Sequence, residues 1–279
     1  MNIELPGYIS SKRQEIDAYL RWNLSNTYKQ NPTLHQAIAH AVFGIGKRVR
    51  PILTIATAEL YGQVSEAVLP LAASIELVHV SSCILDDLPS IDNSAAREGK
   101  PCTHILFGEA VAVLASIALL SNAYDIIATP NLLPGVPFRR RCFLATLISD
   151  AIGRMTSGQL TELLKANERL DGPALRDVYS QKTGSLFETA TKAGAIFSAA
   201  SAKEVEAIGR YGRYLGVAYQ LTDDIRDGKR NFGSSEVRST YRGIDELASK
   251  AVAALRTLSR DATRLSEIGS HILNVKSEE

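Results

Sequence analysis

Two groups of three aspartates have the spacing expected of a site for hard cations. Each group follows an apolar segment, the first in SSCILDDLPSID and the second in YQLTDDIRD. The six positions are Asp86, Asp87, Asp92, Asp223, Asp224 and Asp227. Crowded carboxylates at the end of an apolar helix repel one another and are desolvated, so a positive group should offset them. Oxygen ligands without His or Cys favour Mg²⁺, which commonly bridges one or two carboxylates to substrate phosphates.

Each group taken alone has a simpler explanation, because acidic residues at a helix end are often only solvated. Two such groups, each next to an apolar helix, weaken that explanation. Carboxylates at the C-terminal end of a helix also gain nothing from the helix dipole. The pair of groups therefore favours a metal site.

Basic and hydroxyl side chains elsewhere are suited to hold phosphates. Lys47 and Arg50 in GKRVRP share one face of a predicted helix N-terminus, where backbone N–H groups also favour an anion. Taken alone, such a segment is more often an exposed basic turn than a phosphate site. Arg97 follows the first aspartate group. Lys182 and Thr183 interrupt a largely apolar helix. They either hold a diphosphate, or mark a kink from which the lysine reaches solvent.

Two more polar residues share helix faces with the aspartates. His79 precedes Asp86 by seven residues, which is two helical turns. A lone histidine on an apolar helix is usually a core residue, but beside a diphosphate it can donate a hydrogen bond. Gln220 lies on the same face as Asp223 and Asp227.

The composition argues against several other classes of protein. The 279 residues include 31 basic and 30 acidic ones, so net charge gives no reason to expect nucleic acid as a partner. Three cysteines without a CxxC spacing disfavour a zinc knuckle or a disulfide framework. With no secretory signal visible, we expect a cytoplasmic protein. The longest apolar run, residues 110–120, is shorter than the ~20 residues of a membrane span. We interpret it as a buried core helix and expect no transmembrane segment.

The elements that position these residues are predicted to be helical almost throughout. Periodicity and helix-ending residues place helices at about 8–29, 47–61, 65–87, 107–128, 137–168, 173–199, 203–227 and 243–275. Asn31-Pro32-Thr33 breaks the chain and can start another helix. The stretch 228–243 is polar and is predicted to be irregular. No strand ladder and no linker between domains is evident. We therefore predict an all-α fold with one domain over 1–279, a bundle of about ten helices with several apolar ones at its centre.

Six motifs in order resemble the trans-isoprenyl diphosphate synthases. They are GKRVRP, ELVHVSSCILDDLPSIDN, REGKP, HILFGEAVAVLA, KTG and YQLTDDIRD, and they cover about residues 35–230. The sequence is most similar to bacterial and plastid geranylgeranyl and farnesyl diphosphate synthases. The resemblance implies an isoprenoid synthase fold, normally a homodimer, with the acidic motifs across a deep apolar cavity. It also implies a transferase that joins isopentenyl diphosphate to dimethylallyl, geranyl or farnesyl diphosphate.

The same resemblance implies a role for each candidate residue. Mg²⁺ on the allylic diphosphate would be held by Asp86, Asp92 and Asp223, with Asp87, Asp224 and Asp227 as neighbours. The residues implied to contact that diphosphate are Arg97, Lys182, Thr183 and Gln220. The residues implied to bind isopentenyl diphosphate are Lys47, Arg50 and His79. Of these, the catalytic set would be Asp86, Asp92, Asp223 and Lys182.

Product length is expected to depend on the helical turn before the first acidic motif. Ser81 and Ser82 lie five and four residues before Asp86, and neither is an aromatic plug. A cavity without such a plug should admit a chain longer than C15. We therefore expect a C20 product, geranylgeranyl diphosphate, rather than farnesyl diphosphate.

Two departures from the family pattern keep other functions open. Glu98 stands where the family usually has a second arginine, and the segment after Asp227 looks shortened. Lys229 or Arg230 would have to replace the lysines usual there. One alternative is a weakly active or inactive subunit of a heteromeric synthase, although both acidic motifs are intact. A class I terpene cyclase is a further alternative, but it has no need of a second diphosphate site. A purely structural helical protein is the last alternative.

Overall fold

The computed structural model describes residues 4–44, 46–165, 172–226 and 234–273, and these ranges are mostly helical. The chain divides into two compact units. The first comprises Met1–Ile52 and Ser65–Ala145, and the second comprises Leu53–Val64 and Thr146–Glu279. The all-α fold class is confirmed. The prediction that residues 1–279 form one domain stays a prediction.

The first unit is built around two long apolar helices. Its helices are α1 (Leu5–Thr27), α2 (Pro32–Val42), the start of α3 (Val49–Leu60), α4 (Ser65–Asp86), α5 (Thr103–Phe107), α6 (Glu109–Ala128) and the start of α7 (Phe138–Leu164). Asn31 caps α2, since its Oδ1 accepts a hydrogen bond from the backbone N–H of Leu34 at 3.1 Å. Pro51 lies in the first turn of α3, where the missing N–H of proline leaves no helix hydrogen bond unmade.

Helices α4 and α6 are joined by small side chains. The hydroxyls of Ser81 and Ser116 lie 2.8 Å apart, and each also lies 3.1 Å from the other's backbone carbonyl, so each hydroxyl proton has an acceptor on the facing helix. Ala112 and Ala115 on α6 are fully buried. Small residues and mutual hydroxyl bonds let the two backbones approach closely without leaving a buried polar group unpaired. This contact fixes the helix that ends in the first acidic motif.

The expectation that residues 110–120 form a buried core helix is wrong for one face. Leu114 and Ile117 on α6 are 59% and 57% exposed. By length and composition, α4 and α6 are both apolar enough to cross a membrane. Most of α4 is buried inside the protein, as in core helices of soluble proteins, whereas less than half of α6 is. Periodicity reports how apolar a helix is, but it cannot say which faces the chain itself covers.

The second unit places three helices around a π-helical turn. It contains the rest of α3 and α7, α8 (Gly172–Tyr179), a π turn (Ser180–Gly184), α9 (Ser185–Phe197), α10 (Ala202–Arg226), α11 (Ser234–Leu255) and α12 (Thr263–Leu273). Gly212 and Gly216 let α10 pack directly on α9 and the π turn. A Cβ on Gly212 would lie 2.6 Å from the Phe187 carbonyl, and one on Gly216 would lie 2.9 Å from Gly184 Cα.

A buried carboxylate ties α9 to its neighbours in this unit. Glu188 accepts charged hydrogen bonds from Arg154 at 3.0 Å and from Arg213 at 2.8 Å, and Lys192 lies 2.9 Å away. Burial raises the pKa of Glu188, but Arg213, Lys192 and Arg154 outweigh it and lower the pKa to about 2. The carboxylate is therefore ionised at neutral pH and links α7, α9 and α10.

Three local predictions are corrected by the structure. Two-residue strands β1 (Ala96–Arg97) and β2 (Lys100–Pro101) pair antiparallel, which the sequence did not reveal because such short strands show no alternation. The predicted helix at 243–275 is two helices, separated by residues 256–262. Residues 234–243, predicted to be irregular, belong to α11.

Candidate active site

The first acidic motif lies at the C-terminal end of α4 in the first unit. Asp87 is buried, Asp86 is half-buried and Asp92 is exposed. Arg97 on β1 binds Asp87 through two nitrogens, with Nη2 2.7 Å from Oδ1 and Nε 3.0 Å from Oδ2. This fork geometry is the strong form of an arginine–carboxylate pair. The inner aspartate is therefore compensated by Arg97, and the outer carboxylates are the more accessible ones.

The short hairpin after the motif carries both Arg97 and Glu98. Glu98 and Gly99 form its two-residue turn, with φ of 48° and 77°. Positive φ at both positions is typical of a type I′ turn, which matches the twist of a hairpin. Glu98 is exposed, so its charge is in contact with solvent. The unusual carboxylate consequently lies in a wet setting, where its repulsion of an anion is screened.

The basic segment GKRVRP lies at the start of α3 in the same unit. Lys47 is exposed and Arg50 is half-buried.

Burial and the nearby guanidinium groups of Arg50, Arg97 and Arg48 lower the pKa of His79 well below its usual range. The structure therefore brings His79 within electrostatic reach of both the basic segment and the arginine of the first motif. The imidazole is neutral at physiological pH and has one N–H to donate.

Cys83 is the neighbour of His79 on α4, with its Sγ 3.6 Å from Nδ1. Burial raises the pKa of this thiol. The pair is a neutral thiol beside a neutral imidazole, which is not the ion pair of a nucleophilic cysteine. Cys83 is a packing residue that also restricts the ring of His79.

The two residues predicted to set chain length have different surroundings. Ser81 is buried, and its hydroxyl is committed to the contact with Ser116 on α6. Ser82 is half-buried, and its hydroxyl donates to the carbonyl of His79 at 2.8 Å. A large side chain at position 81 would have to push α6 away, whereas one at position 82 has more room.

The second acidic motif lies in the second unit, where a chain of hydrogen bonds links the π turn to α10. Thr183 donates to Gln220 at 2.7 Å, and Gln220 donates to Asp224 at 3.0 Å. The buried hydroxyl of Tyr179 donates to the other oxygen of Asp224. Four residues from α8, the π turn and α10 thus hold one another in fixed orientations. π turns are frequent at functional sites.

The other candidate residues of the second unit are more exposed. Asp223 is half-buried and accepts a hydrogen bond from Arg226 at 3.2 Å. Lys182 is half-buried and lies 2.5 Å from Glu162 on α7. The π turn confirms that KTG interrupts the helix, while the role of the motif toward a diphosphate stays a prediction. Asp227, Lys229 and Arg230 lie outside the described residues.

The donor set in each unit is compatible with magnesium. Within the described ranges, no three His, Cys, Asp or Glu side chains cluster closely enough to hold a metal alone. Mg²⁺ does not need such a cluster, because it keeps water and takes one or two carboxylates plus phosphate oxygens. Asp86 and Asp92 in the first unit and Asp223 in the second are accessible enough to supply such oxygens. The residues present therefore fit this ion.

Sequence reasoning did not single out Tyr179, Arg48 or Glu76, which are all buried in the structure. Tyr179 precedes KTG by three residues, and Arg48 lies inside the basic motif itself. Glu76 is an acid within an otherwise apolar helix. A charged residue in an apolar run is the one signal that could have pointed to Glu76, because such a group needs a partner.

Comparison with known proteins identifies the family. The sequence model of the polyprenyl synthetase family matches residues 31–237, which is more than half of the chain. The chain belongs to the polyprenyl synthetase family. It is therefore a transferase of the prenyltransferase class, as the motifs predicted.

The relatives of this polyprenyl synthetase span bacteria and plants. A dimethylallyltranstransferase of Fischerella ambigua (strain UTEX 1903) is 33% identical over 88% of this chain and 70% of that protein. The heterodimeric geranylgeranyl pyrophosphate synthase large subunit 2 of Arabidopsis thaliana is 36% identical over 88% of this chain and 65% of that protein. The crystal structure of an FPP/GFPP synthase from Zymomonas mobilis has a TM-score of 0.88 and 30% identity, covering 98% of this chain and 100% of the other. The chain is thus shorter than its curated relatives but similar in length to the solved structure.

Proposed function

We propose that this chain condenses isopentenyl diphosphate with an allylic diphosphate and that its main product is geranylgeranyl diphosphate. The observation that carries the proposal is the position of His79 in the first unit. It lies within electrostatic reach of Arg50, in the motif expected to bind isopentenyl diphosphate, and of Arg97, in the motif expected to bind the allylic diphosphate. A reaction between two diphosphates needs neighbouring cationic groups for both substrates. A terpene cyclase binds only one diphosphate and does not need both groups.

Different residues would bind the metal and the allylic diphosphate. Asp86, Asp92 and Asp223 would hold Mg²⁺, with Asp87, Asp224 and Asp227 near them. When bound, Mg²⁺ would neutralise charge on the departing diphosphate. Arg97 and Lys182 add positive charge at that diphosphate, and Thr183 and Gln220 orient it through hydrogen bonds.

The second substrate is held by the basic segment. Lys47 and Arg50 would bind isopentenyl diphosphate by charge, and neutral His79 would donate one directional hydrogen bond. The allylic C–O bond ionises, the double bond of isopentenyl diphosphate attacks the cation, and a proton leaves to the released diphosphate. Fixing both diphosphates holds the two reacting carbons within reach, which lowers the entropic part of the barrier.

The C20 product is proposed because neither residue expected to limit chain length is large. Ser81 and Ser82 both have short side chains, and Ser82 is only half-buried. Ser82→Phe is expected to shorten the product to C15, and Ser82→Ala to leave it unchanged. Mass analysis of the dephosphorylated products distinguishes these outcomes.

The deciding experiment is an assay of purified protein with Mg²⁺, isopentenyl diphosphate and each allylic primer in turn. Condensation with dimethylallyl, geranyl or farnesyl diphosphate to one main C20 chain supports the proposal. Folded protein that binds an allylic diphosphate but condenses nothing contradicts a stand-alone synthase.

A second candidate is a subunit of a heteromeric synthase with little activity of its own. Glu98 favours it, because a carboxylate replaces a cation usual at that position. One relative is also named as the large subunit of a heterodimeric synthase. Activity that appears only with a second synthase chain, and is lost on removing that chain, would establish this candidate.

A homodimer is proposed from the exposed face of α6. Leu114 and Ile117 line a groove of about 760 Å³ between α6 and the end of α1. Ile105 and Leu106 on α5 are also exposed. An apolar surface of this kind marks an interaction site. The double substitution Leu114→Asp and Ile117→Asp should convert the dimer to a monomer, as measured by light scattering.

Cytoplasmic location stays a prediction from the sequence.

A further inference from the structure

We propose that Arg48 is a positioning residue that holds the segment carrying Lys47 and Arg50 in place beside His79. The inference rests on the proposed function, which assigns those three residues to isopentenyl diphosphate. Arg48 lies between the two basic residues in the sequence but is buried rather than presented to solvent. Its role is therefore distinct from that of its neighbours.

Three separate helices hold the guanidinium of Arg48. Its Nε lies 2.7 Å from Asp17 Oδ1 on α1, and its Nη1 lies 2.7 Å from Glu76 Oε1 on α4. Its Nη2 donates to the carbonyl of Val42, the last residue of α2, at 2.5 Å. The side chains of Arg48 and Glu76 are each 3% exposed. A planar fork with three fixed acceptors has only one orientation, so the backbone that carries it is fixed as well.

The charge on this group is maintained despite burial. Burial lowers the pKa of Arg48, but Glu76 and Asp17 outweigh that effect and raise it. A buried ion pair contributes little net stability compared with well-packed apolar side chains. What the pair supplies in addition is a defined geometry.

The backbone at Arg48 is shaped by this arrangement. Its φ is 53°, in the left-handed region that a residue with a Cβ rarely adopts. Its carbonyl accepts the N–H of Ile52 at 3.1 Å, which forms the first turn of α3. Gly46 packs against the same guanidinium, since a Cβ there would lie 3.1 Å from Nη1. The three-point anchor thus determines where α3 begins and how Lys47 and Arg50 are presented.

The anchor also fixes the basic segment relative to the imidazole. Glu76 precedes His79 by three residues on α4, which is about one helical turn. Arg48 and Arg50 both lower the pKa of His79, so both lie within its electrostatic reach. Loosening the Arg48–Glu76 pair should therefore move Lys47 and Arg50 relative to His79 and leave the acidic motif at the end of α4 unchanged.

The test compares conservative variants of the two buried partners. Arg48→Lys keeps the charge but lacks the fork, and Glu76→Gln keeps the shape but lacks the charge. We expect each to raise the KM for isopentenyl diphosphate about ten- to a hundredfold, the scale of a misplacement of about 1 Å. The KM for the allylic primer and kcat at saturation should change little. Calorimetry of isopentenyl diphosphate binding to metal-free protein should show the same loss.

A matched control separates positioning from general stability. Lys12 also ties α1 to α4, through a 2.7 Å bond to Ser65, far from the motif in sequence. Lys12→Met should lower the melting temperature without changing either KM. Should Arg48→Lys or Glu76→Gln fail to fold, Asp17→Asn tests the same anchor at a carboxylate that is partly exposed.

Two results would overturn the inference. One is an unchanged KM for isopentenyl diphosphate in a folded variant of the anchor. The other is a parallel change in kcat and in both KM values, as a purely structural role would give. If the unaltered protein neither binds isopentenyl diphosphate nor condenses it, the proposed function fails instead.

Discussion

The two acidic helix ends stabilise a buried aspartate in different ways. Each has two consecutive aspartates, of which the second is buried, Asp87 on α4 and Asp224 on α10. In the first unit, a guanidinium from a surface hairpin pairs with Asp87. In the second unit, Tyr179 and Gln220, which are uncharged, donate to Asp224. An identical dipeptide is thus held by an ion pair at one helix end and by buried hydrogen bonds at the other.

The difference supports the proposal that the inner aspartates are structural supports and that the outer ones would be the magnesium ligands. Asp87 and Asp224 have their oxygens engaged by side chains of their own unit. Asp86 and Asp223 are more exposed and lie beside them. Arg97 is an accessible partner, since its side chain is 45% exposed and a substrate phosphate can compete for it. Tyr179 is rigidly buried and offers no such exchange.

The largest expected effect separates outer from inner aspartates. Asp86→Asn and Asp223→Asn should each lower the condensation rate by about a thousandfold, because each removes a carboxylate that would hold Mg²⁺ at the departing diphosphate. The melting temperature should stay close to that of the unaltered protein, since both residues are partly exposed. Steady-state assays with each primer measure the effect, and near-normal activity in either variant would contradict the assignment.

The support of Asp224 is tested by removing one hydroxyl. Tyr179→Phe should lower the free energy of unfolding by about 1–3 kcal/mol, because a buried carboxylate loses a donor. Tyr19 supplies the control, since its buried hydroxyl has no hydrogen-bond partner within the described residues. Tyr19→Phe should therefore cost little. Urea unfolding measures both, and equal costs would argue against a special role for Tyr179.

Acid should affect the two units in different pH ranges. The pKa of His79 in the first unit is lowered from 6.5, so the unfolded state binds a proton that the folded state does not. Stability should therefore fall as pH drops below about 6.5. Glu188 in the second unit has its pKa lowered from 4.5 to about 2, so its contribution is lost only between those values.

Urea unfolding at a series of pH values tests this order. His79→Gln should flatten the pH dependence just below 6.5, and Glu188→Gln should flatten it below 4.5. A variant that changes the dependence in the other window would show that the groups responsible have been assigned wrongly.

The smallest effect concerns the exposed turn of the first unit. Glu98→Arg should lower the KM for isopentenyl diphosphate by a few-fold at most, since exposed charges interact by about 0.2–1 kcal/mol. Glu98→Gln, which only removes the charge, should give part of that gain. A gain much larger than tenfold in kinetic assays would mean that Glu98 lies in a drier setting than its exposure indicates.

The sequence by itself determined the fold class, the family and most members of both acidic motifs. Apolar periodicity of 3.6 residues and the spacing of DDLPSID and TDDIRD are local properties, and local properties can be read along a chain. The helix start at Pro32 and the interruption at Lys182–Gly184 were predicted for the same reason. Both follow from the chemistry of a few neighbouring residues.

Tertiary structure alone decided which group pairs with which. Nothing near Arg48 in the sequence indicates that Asp17 and Glu76 hold it, and nothing near Tyr179 indicates Asp224. The exposed face of α6 was missed because an apolar residue looks the same whether its own chain or another surface covers it. Long-range pairing depends on how helices pack, and a single sequence carries no direct record of that packing.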